Sequence, residues 1–291
     1  MEFWSTILLS ATIAAIAAMG LSLQIRNGQM NVGMAVFAGV GGYVSGWLST
    51  QGGLSPVLSI PVAVAAGFAA GALYAALTLR LHHWFFAVTT LSLTIASVAA
   101  VSQIGFIGGA LGMTDIPYVT SAPAIVAAAL GAFAVAWGLD RSDIGLRIRA
   151  MGDDQELAEA FGIRVKRLRI VIFGLGSAMA ALSGALNAHR FGTAQPGDLG
   201  FQPSLLLFVY VIVGGKNSVW GPVLGTFFLF CMPEVIKIAP EAELLVFGTL
   251  MLVVATWMPN GVAGGIQAAV RRVCRRPVAI AANPTGSSGA A

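Results

Sequence analysis

The sequence predicts an all-α fold, a polytopic helical membrane protein with about 8–10 transmembrane helices, some of them short or re-entrant. Three observations predict it. The 291 residues are 57% hydrophobic and only 10% charged, against about 25% charged in soluble domains. Charge is concentrated, with residues 140–169 holding 7 of the 16 basic and 6 of the 12 acidic side chains. Apolar runs of spanning length recur on both sides of that segment. A chain this apolar has bilayer as its solvent.

The first run, residues 4–25, WSTILLSATIAAIAAMGLSLQI, carries no charge and reaches about 33 Å as a helix. Glu2 is the only ionisable side chain before it, so an uncleaved first span is expected rather than a signal peptide. Residues 29–50 form a glycine-rich second span. Gly39, Gly42 and Gly46 fall on one helix face, as close helix packing in lipid requires. Gln29 and Asn31 stand at its glycine-broken entry, where amides can line a polar path or cap a helix end. Third and fourth spans cover 57–79 and 84–104. The fourth carries Thr89, Thr90 and Thr94, hydroxyls that bond back to their own helix or face a pore. Residues 105–120 are too rich in glycine to span. Fifth and sixth spans cover 121–139 and 170–188. Two shorter pieces, 204–215 and 219–233, flank GGKNSVWGP and either cross as tight helices or re-enter within protein. Residues 243–258 form the last span. The membrane-spanning domain is thus 1–265, and 266–291 is a basic, disordered tail.

Charge counting orients the chain. With nine crossings and the N-terminus outside, fourteen basic residues fall inside and two, Arg190 and Lys237, outside. The net charge of +4 follows from this topology and gives no reason to invoke nucleic acid. Cys231 and Cys274 imply no disulfide framework, and His82, His83 and His189 show no metal-ligand spacing. No nucleotide-binding or hydrolase motif is present in the sequence.

Within the charged segment, Asp153-Asp154-Gln155-Glu156 reads as a capping box, with Asp153 as cap and Glu156 reaching back. Asp154, Glu156 and Glu159 suit the positive end of a helix dipole, and Gly162 suits the left-handed position after Phe161. The result is a helix of about eight residues, roughly 12 Å long, with Leu157 and Phe161 on one face. Isolated, so short a helix is marginal in water. Arg147, Arg149, Arg164, Lys166, Arg167 and Arg169 flank it. It is either a solvated loop at lipid headgroups or a docking helix for a partner's groove.

GLRIRAMGDDQELAEAFGIRVKRLRIVIFGLGSAMAALSGAL, NGQMNVGMAVFAGVGGY, GGALGMTDIP and LLLFVYVIVGGKNSVWGPVLGTFF together resemble the inner-membrane permeases of bacterial ABC importers for branched-chain amino acids, the LivM-type subunit above all. Order and spacing agree across most of residues 20–262. The sequence departs from the family pattern at Arg26-Asn27, Gln29-Met30-Asn31, Gly152-Asp153-Asp154 and Lys216.

The resemblance implies a permease subunit that performs no catalysis and binds no cofactor. ATP would be hydrolysed on two partner ATPase subunits. A second, homologous permease and a periplasmic binding protein complete the assembly, in the bacterial inner (plasma) membrane, with charged segment and tail cytoplasmic. It also implies that Asp153, Asp154, Glu156, Leu157, Glu159, Phe161 and Gly162 form the helix that couples to the ATPases, and within such a permease the polar side chains of Gln29, Asn31, Thr89, Thr90 and Thr94 are the candidates for lining the substrate path. Branched-chain or other small neutral amino acids are the expected cargo, with urea, amides or another small solute as the alternative. An ion-coupled secondary transporter would want ionisable residues within spans, and Glu234 and Lys237 lie at a span end.

Overall fold

The computed structural model describes residues 2–236, apart from Arg80, His82, residues 119–120 and Asn217, together with Leu245, Gly248 and Thr249. The predicted last span is otherwise outside the described residues, as is the basic tail. The described chain is all helical: α1 (Glu2–Arg26), α2 (Met34–Thr50), α3 (Pro56–Thr78), α4 (His83–Gln103), α5 (Ala122–Arg141), α6 (Asp143–Asp153), α7 (Gln155–Ala160), α8 (Val165–Phe191), α9 (Phe201–Gly214) and α10 (Trp220–Ile236). Among the described residues α1, α3, α4, α5 and α8 are long and apolar enough to cross a membrane, and α9 and α10 are shorter apolar helices. The all-α polytopic fold predicted from the sequence is the fold observed.

Two helices form the centre. The apolar windows of α8 and α1 are 67% and 61% buried, whereas those of α3, α4 and α5 are 22% or less. The outer three therefore expose apolar side chains such as Leu73, Leu77, Val88, Ile95 and Leu130, as helices bathed in lipid do. α8 packs against α1, α2 and α3. Its sequence from Gly174 to Leu186, GLGSAMAALSGAL, supplies almost only small side chains on the contacting face. A side chain at Gly41 of α2 would strike the Ala181 backbone, and one at Gly184 would strike the Ala38 carbonyl. Gly67 and Gly71 of α3 admit the Ala181 methyl and the Ser177 side chain, and Gly20 of α1 meets the Gly176 carbonyl. Such backbone-to-backbone approach is how helices associate in lipid, where hydrophobic exclusion does not act between them.

The glycines expected on one packing face of α2 divide between neighbours. Gly39 faces Leu199, Gly42 faces Gly184, and Gly46 faces Met113 and Ile116. α9 and α10 form an antiparallel hairpin in which Gly214 meets Gly221 and Gly225 meets the Tyr210 carbonyl. The hairpin packs on α1. At 14 and 17 residues its helices rise about 21 and 25 Å.

Gly184→Ala, which drives a methyl into the α2 backbone, is expected to destabilise the protein by about 1–3 kcal/mol. Gly131→Ala on α5, where nothing lies within 4 Å, is expected to be neutral or stabilising by up to about 1 kcal/mol. Thermal unfolding of the two variants in detergent checks this, and equal effects would contradict the packing.

Candidate functional site

At the end of the bundle where α1 stops and α8 starts, the charged segment folds into α6 and α7. Ser142 caps α6, its hydroxyl accepting from the Gly145 amide at 3.4 Å. Ile148 and Met151 are buried, and a side chain at Gly152 would meet the Arg26 carbonyl, so α6 lies against the end of α1. That helix was not foreseen from the sequence, and it moves the boundaries of the next one. Asp153 closes α6 instead of capping α7. The burial of Met151 and the seat of Gly152 on α1 hold the chain helical through that point. Asp154 is the first extended residue, with φ −150° and ψ 110°, and its Oδ1 accepts from the Leu157 amide at 3.0 Å. The third helical position is then Leu157, which has no polar side chain to reach back, so the predicted box with Glu156 does not form. The helix has six residues rather than eight.

Its far end is as expected. Gly162 takes φ +80°, its amide bonds Glu159 O at 2.9 Å, and the Ile163 amide bonds Ala158 O at 3.1 Å, which is a Schellman stop. Ala158, Met151 and Val165 form a small core with Ile163 and Leu168. α7 is thus held by its caps and its buried edge. Leu157 and Phe161 remain 56% and 79% exposed, with Asp154, Glu156, Glu159, Arg164, Lys166 and Arg167 exposed around them.

Arg26 ties this segment to the bundle. Its Nη1 donates to Asp140 Oδ1 at 2.8 Å and its Nε to Lys216 O at 2.6 Å. Arg149 of α6 donates to Asp140 O at 2.7 Å. The Arg26 side chain, 7% exposed, therefore joins the ends of α1 and α5 and the α9–α10 turn, and Arg149 ties α6 to the same end of α5.

Above Arg26 the chain leaves helical geometry from Asn27 to Gly33. Irregular backbone at membrane depth must be satisfied by protein, and buried amides do this. Asn27 donates to Gln29 Oε1 at 2.8 Å, Asn31 donates to Gln24 Oε1 at 2.7 Å, and Asn31 Oδ1 accepts from the Gly33 amide at 2.8 Å. Gln24 reaches α8 at Phe173 O and Ser177 Oγ, and the Val32 amide donates to Thr90 Oγ1 at 3.1 Å. Thr94 donates to Thr90 O and, with it, crowds Gly33. Four of the five residues expected along the path, Gln29, Asn31, Thr90 and Thr94, thus meet at this link. Thr89 is half-buried and its hydroxyl bonds Phe85 O.

None of the five lines the apolar cavity inside the bundle. A space of about 320 Å³ lies between α1, α2, α8 and α9, walled by Ala14, Ala17, Ala38, Gly39 and Leu207 and ending at Tyr43, Asn187, Thr193 and Asp198. It reaches the end of the bundle opposite the charged segment. Its volume is at the small end for ligand sites, about 300–1,000 Å³. Beside it, His189 braces that end. Its Nδ1 donates to Pro117 O at 3.0 Å, which leaves Nε2 to accept from the Ser45 hydroxyl at 2.8 Å. Ser59 and Ser49 extend the chain of bonds to α3. The segment after α5's predecessor, Met113 to Ile116, is strapped to Gly192 and Ala194 by backbone bonds. Tyr43, Asn187 and Asp198 were missed from the sequence. An acid in a sparsely charged loop and a tyrosine beside a glycine pair were the signals available.

The fold defines a class, a multi-pass helical membrane protein. A profile of the family described as branched-chain amino acid transport system / permease component matches residues 3–255. The chain belongs to that family and is a transport permease subunit rather than an enzyme. It is 23% identical over 286 residues to the high-affinity branched-chain amino acid transport system permease protein LivM of Escherichia coli, covering 86% of this chain and 67% of that one. The LivH permease protein of Salmonella typhimurium is 29% identical over 125 residues, 42% of this chain and 40% of its own. The autoinducer 2 import system permease protein LsrC of Shigella flexneri is 26% identical over 279 residues, 90% and 75% of the two chains. No solved structure matches.

Asp140→Ala leaves Arg26 buried without its carboxylate and is expected to cost about 3–5 kcal/mol. Adding Arg26→Met is expected to recover most of it. Unfolding in graded denaturing detergent reads both, and a double variant no better than the single would contradict this role for the pair.

Proposed function

We propose that this chain is one membrane-spanning half of an ATP-driven importer in the bacterial inner membrane, with α6 and α7 facing the cytoplasm. A second permease pairs with it, two ATPase subunits bind beneath, and a periplasmic binding protein delivers the solute. The observation that carries the reading is the exposed pair Leu157 and Phe161, presented on a helix fixed at both caps. Short apolar anchors on a rigid helix suit a groove on a partner. The fourteen-to-two bias of basic residues supports the orientation.

In this reading, closure of the ATPases displaces α7, and Arg26 and Arg149 carry that displacement to α1 and α5. The amide link at 27–33 is the floor that parts, and the cavity above it is the outer section of the path. Branched-chain or other small neutral amino acids are the cargo that the LivM and LivH likenesses support. The likeness to an autoinducer 2 permease supports a second reading, in which the cargo is another small solute.

Leu157→Asp with Phe161→Asp is expected to abolish capture of the ATPase subunits and solute uptake while the chain still inserts in the membrane. Co-purification from membranes and uptake measure this, and unchanged capture and uptake would sink the docking assignment.

A further inference from the structure

We propose that the outer cavity is a charge-selective recognition site, in which Tyr43 and Asp198 take the ammonium end of a small solute and the alanine, glycine and leucine wall takes its apolar body. This deepens the permease reading and rests on it. The cavity is chemically two-ended. Ala14, Ala17, Ala38, Gly39 and Leu207 make one part apolar, and Tyr43, Asn187 and Asp198 gather at the other.

The Tyr43 side chain is 6% exposed, and its shielded hydroxyl has no hydrogen-bond partner among the described residues. Buried hydroxyls are rarely left unpaired, and this one borders a space large enough for a ligand. Asp198 is fixed by one oxygen, Oδ2, which accepts from the Gln195 amide at 3.0 Å. It forms no salt bridge among the described residues. No Lys, Arg or His is among the described residues that line the cavity. Asp198 is exposed at the mouth, and among the described residues no cation lining the cavity compensates its carboxylate. It attracts a cationic head and repels an anion. The Tyr43 hydroxyl and the Asn187 amide can pair with the remaining polar atoms of that head.

The test does not depend on knowing the cargo. In the assembled transporter in membrane vesicles, Cys231 and Cys274 are replaced by serine and Ala38→Cys places one thiol on the cavity wall. Ethylammonium and ethylsulfonate methanethiosulfonates are then compared, each normalised to its rate with a free thiol. The ammonium reagent is expected to react about tenfold faster, within the range one nearby unit charge supplies. Asp198→Asn is expected to bring the ratio near one, Asp198→Glu to restore it, and Tyr43→Phe to lower it. A ratio near one in the parent, a ratio untouched by Asp198→Asn, or no modification by either reagent would each overturn the site. Leucine uptake in the same vesicles separates the two levels. Uptake with no charge preference overturns this site alone, and a tenfold preference without leucine uptake overturns the amino-acid reading alone.

Discussion

Contact between backbones along α8 is the constraint on which the rest of the structure depends. In lipid, two apolar helices gain nothing by hiding from solvent, so close van der Waals approach has to hold them. Gly41 against Ala181, Gly184 against Ala38, and Gly67 and Gly71 against the same turns of α8 supply that approach. They bring α2 and α3 onto α8 at backbone distance. The apolar cavity opens along the edge of this contact, toward α1 and α9. The position of the cavity is therefore a consequence of where side chains are absent.

The same arrangement joins the two ends of the molecule. α1 contributes Ser10 to Ala17 to the cavity wall and Arg26 to the junction at the charged segment. Between these levels Gln24 fastens α1 to α8 and, through Asn31, to the irregular link that begins α2. Asn27 of this buried amide cluster follows Arg26 directly in the chain. Cooperative hydrogen-bond networks of this kind are rigid while complete and weak once one member is lost. That is the property a floor beneath a transport cavity needs in the proposed cycle.

Span positions were legible in the sequence because length and hydropathy alone set them, and the observed helices agree with the expected runs to within a few residues for α3, α4 and α5. α8 begins at Val165 instead of Ile170, because Lys166 and Arg167 at its start reach water while the backbone stays helical. The Gly162 stop was legible from residue chemistry. The Asp153 cap was misplaced because α6 depends on burial of Ile148 and Met151 against other helices, a tertiary effect that local capping patterns do not contain. Arg26 with Asp140, and Tyr43 with Asp198, are separated by more than a hundred residues along the chain. Only the packing around α8 brings each pair together.

The central claim is that solute passes through the cavity between α1, α2, α8 and α9. Filling it tests this most directly. Ala14→Trp projects an indole from α1 into the space, and uptake of whichever solute the delivery protein binds is measured alongside capture of the ATPase subunits. Loss of uptake with full capture is the predicted result. Uptake at the unaltered rate would contradict the account, because the solute would then take another way through the membrane.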